Sequence, residues 1–252
     1  MKITLFKKVF LFLACLAVLG FSQVHLNILS VPMTKWELGE DGPSIKPVST
    51  VGIARGDVYS ASQLTFDDIK ILVRDAVEKA GGLEAVIANG DTVILKPNLV
   101  GTGGKVPEVN GVTTDYRVVR AVAQLVRELN PDGYIAILEG SHELTKDVYP
   151  DMNYTSEFIP EVDDILPLMD ESGDWGDYDS PNLVAKVLPD SLRLYPDSKK
   201  PNKSPEIYQS RLYYNADAVI SIPVLKNHDR GQVTVAIKNV GIGATPPSIY
   251  GD

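Results

Sequence analysis

DTVIL (Asp91–Leu95), TDYRVVRAVAQLVRELN (Thr114–Asn130) and YIAIL (Tyr134–Leu138) set the fold of this chain. The first and last are short apolar runs of strand length, rich in β-branched residues. Between them Val118, Val122, Leu125 and Val126 recur at helical spacing and form one apolar face. Thr114 or Asp115 can cap that helix, and Pro131-Asp132-Gly133 stops it. A strand–helix–strand unit of about fifty residues implies two parallel strands joined by a right-handed crossover. Pro97, in the Lys96-Pro97-Asn98 that follows the first run, has no N–H for a ladder and predicts that the strand ends there.

The same pattern extends in both directions. Phe66 to Ala80 places Ile69, Leu72, Val73, Ala76, Val77 and Ala80 at helical spacing, with Gly81-Gly82 as a stop. Val51–Ala54 and Ala216–Pro223 are further strand candidates. Strands alternating with amphipathic helices predict an α/β fold, a mostly parallel sheet flanked by helices. Asp147 to Asp179 holds eleven acidic residues and no Lys or Arg, and opens a proline-dense region. Residues 149–210, approximately, therefore read as an irregular acidic, Pro-rich insertion with one strand candidate at Asn182–Leu188. Residues 51–252 form a single α/β domain on this division, and residues 31–50 a linker or arm.

The N-terminus has the layout of an export signal. Lys2, Lys7 and Lys8 precede the uncharged run Val9–Phe21 (VFLFLACLAVLGF), which is shorter than the ~20 residues a membrane-spanning helix needs. Residues 1–30 are thus expected to direct the protein to the periplasm, the cell surface or the medium. Left uncleaved, residues 9–31 would act as a membrane tether. The single cysteine, Cys15, excludes intrachain disulfides, a Cys-ligated zinc and a self-contained iron–sulfur cluster. A net charge of −9 and a pI near 4.9 argue against nucleic acid as a partner.

Ligands of open α/β sheets bind beyond the carboxyl ends of the strands. Three candidate strands end in polar clusters: Lys96 and Asn98; Glu139, Ser141 and His142; Lys226, Asn227, His228 and Asp229. Should these strands be neighbours, lysines, imidazoles and a carboxylate share one cleft, and lysines in an acidic protein favour a small anionic ligand. The helix start at Thr114-Asp115 can add backbone N–H groups to that rim. His142, His228 and Glu139 or Asp229 are acceptable ligand types for a divalent metal. Local roles are the simpler alternative for each residue taken singly. Gly101-Thr102-Gly103-Gly104-Lys105 lacks the Ser or Thr of a phosphate loop. The acidic residues Asp170 to Asp179 lack the spacing of a calcium loop.

VILKPNLV (Val93–Val100), TTD (Thr113–Asp115), LEGS (Leu138–Ser141) and PVLKNHDRGQVTVAIKNVGIG (Pro223–Gly243) resemble the family known as domain of unknown function 362. The resemblance runs from about Val51 onward, interrupted by the insertion. It implies an α/β domain of unsettled biochemistry, in places joined to ferredoxin modules of redox proteins. It also implies motif residues at Lys96, Asn98, Thr114, Asp115, Glu139, Lys226, His228, Lys238 and Asn239. The chain ends where members of that family continue, which implies a fragment or a domain completed by a partner.

Three functions are consistent with these residues. In the first, an enzyme-like domain clamps an anion between Lys96 and Lys226, with Asn98, Thr114, Asp115, Asn227, Lys238 and Asn239 around it. His228 or His142 then exchanges protons and Glu139 orients a histidine or takes the proton itself. The second is a non-catalytic module that binds a ligand or a partner. The third is an accessory domain of a redox complex whose cluster sits on a partner chain.

Overall fold

The computed structural model describes residues 9–12, 50–58, 60–102, 107, 110–141, 145–168, 183–187, 206–228, 232–234, 236–241 and 243–244. In chain order its elements begin β1 (Val9–Phe12), α1 (Phe66–Lys79), β2 (Thr92–Pro97), α2 (Tyr116–Leu129) and β3 (Tyr134–Glu139). There follow α3 (Thr145–Asp151), β4 (Asp164–Pro167), β5 (Leu183–Val187), β6 (Glu206–Ser210) and α4 (Arg211–Asn215). The last are β7 (Ala218–Ile222), β8 (Lys226–His228), β9 (Gln232–Thr234) and α5 (Ala236–Gly241).

The strands β7, β2, β3 and β4 lie side by side in that order, all parallel, with β1 parallel along the outer edge of β7. The fold is α/β, as the alternation of strands and helices predicts. Strand parity sorts the core into two layers. Val93, Leu95, Ile135, Ile137, Ala218 and Ile220 face α1 and α2, which supply Ile69, Val73, Val119, Val122 and Val126. Ile94, Ala136, Leu138 and Val219 face the other way, toward Tyr213 of α4 and Val240 of α5. Because β2, β3 and β7 are apolar on both faces, they read as continuous hydrophobic runs rather than as alternating ones.

The helices start where the side chains dictate. Thr65 caps α1 through Oγ1 to the Asp68 amide at 3.2 Å, while Asp68 accepts the Thr65 amide at 2.9 Å. Asp115 caps α2, accepting the Arg117 amide at 2.9 Å. Pro97 closes β2 asymmetrically. Its register with β7 continues to Ile222, whereas the pairing with β3 stops one step earlier than Lys96, at Leu95 opposite Ile137.

Two sequence expectations differ from the structure. Val51–Ala54 forms no strand. Gly52 instead lies flat on α1, so close that a β-carbon there would sit 1.8 Å from the Ala76 carbonyl oxygen. A strand exists inside the stretch read as an insertion: β4 pairs with β3, and Met152, Tyr154 and Ile159 of the chain before it are buried in the core. It is only four residues long, too short to register as a period. Val9–Phe12, within the run expected to be an export signal, pairs with β7; the same apolar residues suit a signal core or an edge strand. The candidate at Asn182–Leu188 is borne out as β5, antiparallel to β6. Residues 170–179, with their acidic cluster, lie outside the described residues. Among the described residues no helix is long and apolar enough to cross a membrane.

The seating of Gly52 on α1 can be tested directly. Gly52→Ala is expected to lower unfolding stability by about 1–3 kcal/mol in a urea melt, through overpacking against backbone that cannot yield. A midpoint equal to the parent's would show that residues 50–56 do not rest on α1.

Candidate functional site

The carboxyl ends of β2, β3 and β7 adjoin, so the three polar clusters read from the sequence start at one edge of the sheet. Their most buried members are Lys96 at 0% and Glu139 at 2% exposure. Lys96 Nζ donates to Glu139 Oε2 at 2.5 Å, to the Pro97 carbonyl at 2.7 Å and to Asn239 Oδ1 at 3.1 Å. An ammonium has three N–H donors, and each has an acceptor here. Glu139 is matched in the same way: Oε2 also accepts the Leu99 amide at 3.1 Å, and Oε1 the Gly140 amide at 2.9 Å. Burial pushes Lys96 below its ordinary pKa and Glu139 above its own, while the attraction between them opposes both shifts.

Asn239 carries this pair to α5. Its Nδ2 donates to the Lys96 carbonyl at 3.1 Å and to Ser221 Oγ at 3.0 Å. Lys96 and Ser221 stand opposite each other in the β2–β7 register, so one asparagine ties two strands and a helix. Gly243 closes over the amine: a β-carbon there would lie 2.9 Å from the Asn239 carbonyl and 3.3 Å from Lys96 Nζ.

Beside this knot the loop before α2 is fixed by Thr114. Asn98 and Thr114 exchange hydrogen bonds at 2.9 Å each way, and Thr114 Oγ1 donates to the Ile222 carbonyl at 2.7 Å. Asn98 Nδ2 donates to the Val112 carbonyl at 3.1 Å, and Lys226 Nζ donates to the same oxygen at 2.6 Å. Lys226 is half-buried. Burial, followed by repulsion from Lys238, lowers its pKa to about 8, against a weaker pull from Glu139. Among the described residues it has no carboxylate in ion-pair contact.

The sequence-predicted residues thus separate by environment. Lys96, Glu139, Thr114 and Asn239 are buried and joined by hydrogen bonds, Asn98 partly so. Lys226 and Lys238 are partly exposed, and Asn227 is exposed. Asp115 closes the start of α2 with its own carboxylate and holds Arg117 Nη2 at 2.7 Å, so an anion already occupies that helix end. His142, Asp229 and the side chain of His228 lie outside the described residues. Among the described residues no three His, Cys, Asp or Glu side chains gather as a metal site.

Four residues of this edge carry no charge signal in the sequence. Ser221 sits in an apolar strand, where its neighbours hide it. Tyr154 and Tyr213 are buried and donate to the Thr114 carbonyl at 2.8 Å and the Leu138 carbonyl at 3.0 Å. The Ser141 hydroxyl is buried with no hydrogen-bond partner among the described residues. A depression lined by Asp67, Lys70, Ile71, Arg74, Asp75 and Glu78 lies on the outer side of α1 and gathers none of these groups.

Residues 184–250 match the family model described as Domain of unknown function (DUF362). That stretch is similar to the family. It contains Lys226, Lys238 and Asn239, whereas Lys96 and Glu139 lie upstream of it. A thylakoid-associated protein of Synechocystis sp. is similar to 199 residues of the chain at 28% identity, 79% of this chain and 51% of that protein. The chain thus spans about half the length of the curated relative it matches. No solved structure matches significantly.

Removing one member of a buried ion pair leaves the other without compensation. Lys96→Met and Glu139→Leu are each expected to lose about 3–5 kcal/mol of unfolding stability. The double variant is expected to lose clearly less than the sum, because it removes both charges together. Strictly additive losses in urea unfolding would show that the two side chains are not coupled.

Proposed function

We propose that this domain binds a small anion at the carboxyl edge of its sheet, between Lys226 and Lys238. The observation that supports it is the partnership of Lys226. Lys96, which ends a strand at the same edge, is neutralised by Glu139, whereas Lys226 is half-buried and donates to a neutral carbonyl oxygen. A second cation, Lys238, is near enough to repel it. Two cations near each other at a sheet edge favour a negative group beside them, in a protein of net charge −9 as elsewhere. A bound carboxylate or phosphate group supplies that charge.

The buried pair serves this site as scaffold. It fixes Asn239 and hence the turn of α5 that carries Lys238. His142 and His228, which follow β3 and end β8, are the groups that would exchange protons with the bound anion near neutrality. Export of the domain accords with Lys2, Lys7 and Lys8 ahead of the apolar run, and the mature protein from its own host is expected to begin downstream of Phe21. Intact-mass measurement checks this, and a mature chain retaining Val9–Phe12 would contradict it.

Calorimetry with inorganic phosphate tests the anion site. Binding stabilises the charged form of Lys226, so affinity should be full below its pKa of about 8 and fall as pH rises through it. Proton uptake should accompany binding near pH 8. Lys226→Gln is expected to weaken binding at least about tenfold, in line with loss of a charged hydrogen bond. Equal affinity in parent and variant, or affinity unchanged between pH 7 and pH 9, would overturn the assignment.

A further inference from the structure

The adjoining strands β7, β2, β3 and β4 have two outer edges, and the sequence treats them differently. β4 is four residues long, begins with the exposed Asp164 and ends with Pro167, which has no N–H to offer. A short strand bearing a charge and a proline is a blunted edge that resists further pairing. β7 reads Ala-Val-Ile-Ser-Ile, with neither charge nor proline. It is apolar on both faces, since Ala218, Ile220 and Ile222 belong to one core layer and Val219 to the other. Val9–Phe12 lies along its outer side in parallel register, from Val9 opposite Ala218 to Phe12 opposite Ser221. With that strand in place no residue of β7 is more than 4% exposed. Left bare, the edge would present unpaired N–H and C=O groups between two apolar layers, a template for another strand.

We propose that the outer edge of β7 is a strand-acceptor site, and that an extended apolar segment of a second polypeptide takes the place of Val9–Phe12 once export removes it. The vacancy rests on the export reading above, whereas the acceptor edge rests on the pairing of β1 with β7. Among the described residues no strand is spare to replace β1, because β5 pairs with β6 and β8 with β9. The chemistry of the occupant follows from the seat. It is uncharged and β-prone, as Val-Phe-Leu-Phe is, at least four residues long, and parallel to β7. Main-chain hydrogen bonds supply its affinity, and apolar side chains suit an edge flanked by apolar layers. In the uncleaved chain the N-terminal segment keeps the site closed, because its attachment gives it a high effective concentration.

The experiment uses the full chain, with a fluorescent peptide of residues 7–14 (KKVFLFLA) as probe. Val9→Gly, Phe10→Ser, Leu11→Gly and Phe12→Ser together open the edge. Leu11→Gly alone is a milder opening, and it carries the test where the fourfold variant does not fold. Each opened chain is expected to bind the peptide at least about tenfold more tightly than the parent, whose own strand competes. A peptide methylated on the backbone nitrogens of its Val-Phe-Leu-Phe keeps every side chain and is expected to bind at least about tenfold more weakly. Hydrogen exchange is expected to show the bound peptide protecting residues 218–222. Failure of both opened chains to bind, equal affinity for the methylated peptide, or protection confined to other residues would overturn the acceptor site. Those results leave the export reading standing. A mature chain that retains Val9–Phe12 would instead sink export and the exchange of strands with it, whatever the peptide does.

Discussion

A lysine and a glutamate facing each other out of reach of water govern this structure. Moving either ion out of water costs several kcal/mol, and attraction offsets that only with good geometry and every lone pair and proton engaged. Lys96 and Glu139 meet both conditions. Three acceptors surround the amine and three donors surround the carboxylate. The arrangement requires β2 and β3 to end side by side, α5 to bring Asn239 over them, and Gly243 to have no side chain. A buried pair of this kind specifies position more than it adds stability, and here it sets the relation between the sheet and its last helix.

From that constraint follows the division of the edge into an inner and an outer tier. Inside, charges are matched and hydrogen bonds complete. Outside, Lys226 rests on the loop before α2 through the Val112 carbonyl, and Lys238 stands on α5, which Asn239 joins to the inner tier. The start of α2 contributes no free helix end, because the Asp115 carboxylate fills it. On the reading proposed here, recognition of an anion at this edge would fall to side-chain cations. Lys226, not the helix dipole, would then set the pH range over which a ligand is held.

The α/β class was legible because β2, α2 and β3 each carry an unambiguous period, and Asp115 and Pro131-Asp132-Gly133 mark the helix ends. The convergence of Lys96, Glu139 and Lys226 was legible too, since parallel strands all deliver their carboxyl ends to one edge. Which lysine faces inward was not. Lys96 and Lys226 both follow apolar runs, and only the register opposite Ser221 and the reach of Asn239, 143 positions away, separate them. Ser221 acts through one hydrogen bond and Gly243 through close approach, neither of which leaves a pattern in a sequence. The strand β4 was hidden because four residues are too few to show a period within an acidic, proline-rich stretch.

The central claim is that Lys96 is matched by Glu139 and that Lys226 is the cation of this edge that meets an anion. Carbon-detected NMR of lysine side-chain resonances through a pH titration, with and without phosphate, tests it most directly. The account predicts that Lys226 titrates near pH 8 in the free protein and at higher pH with phosphate bound. A Lys226 that titrates near the ordinary lysine value of about 10.4, and does so regardless of phosphate, would contradict it.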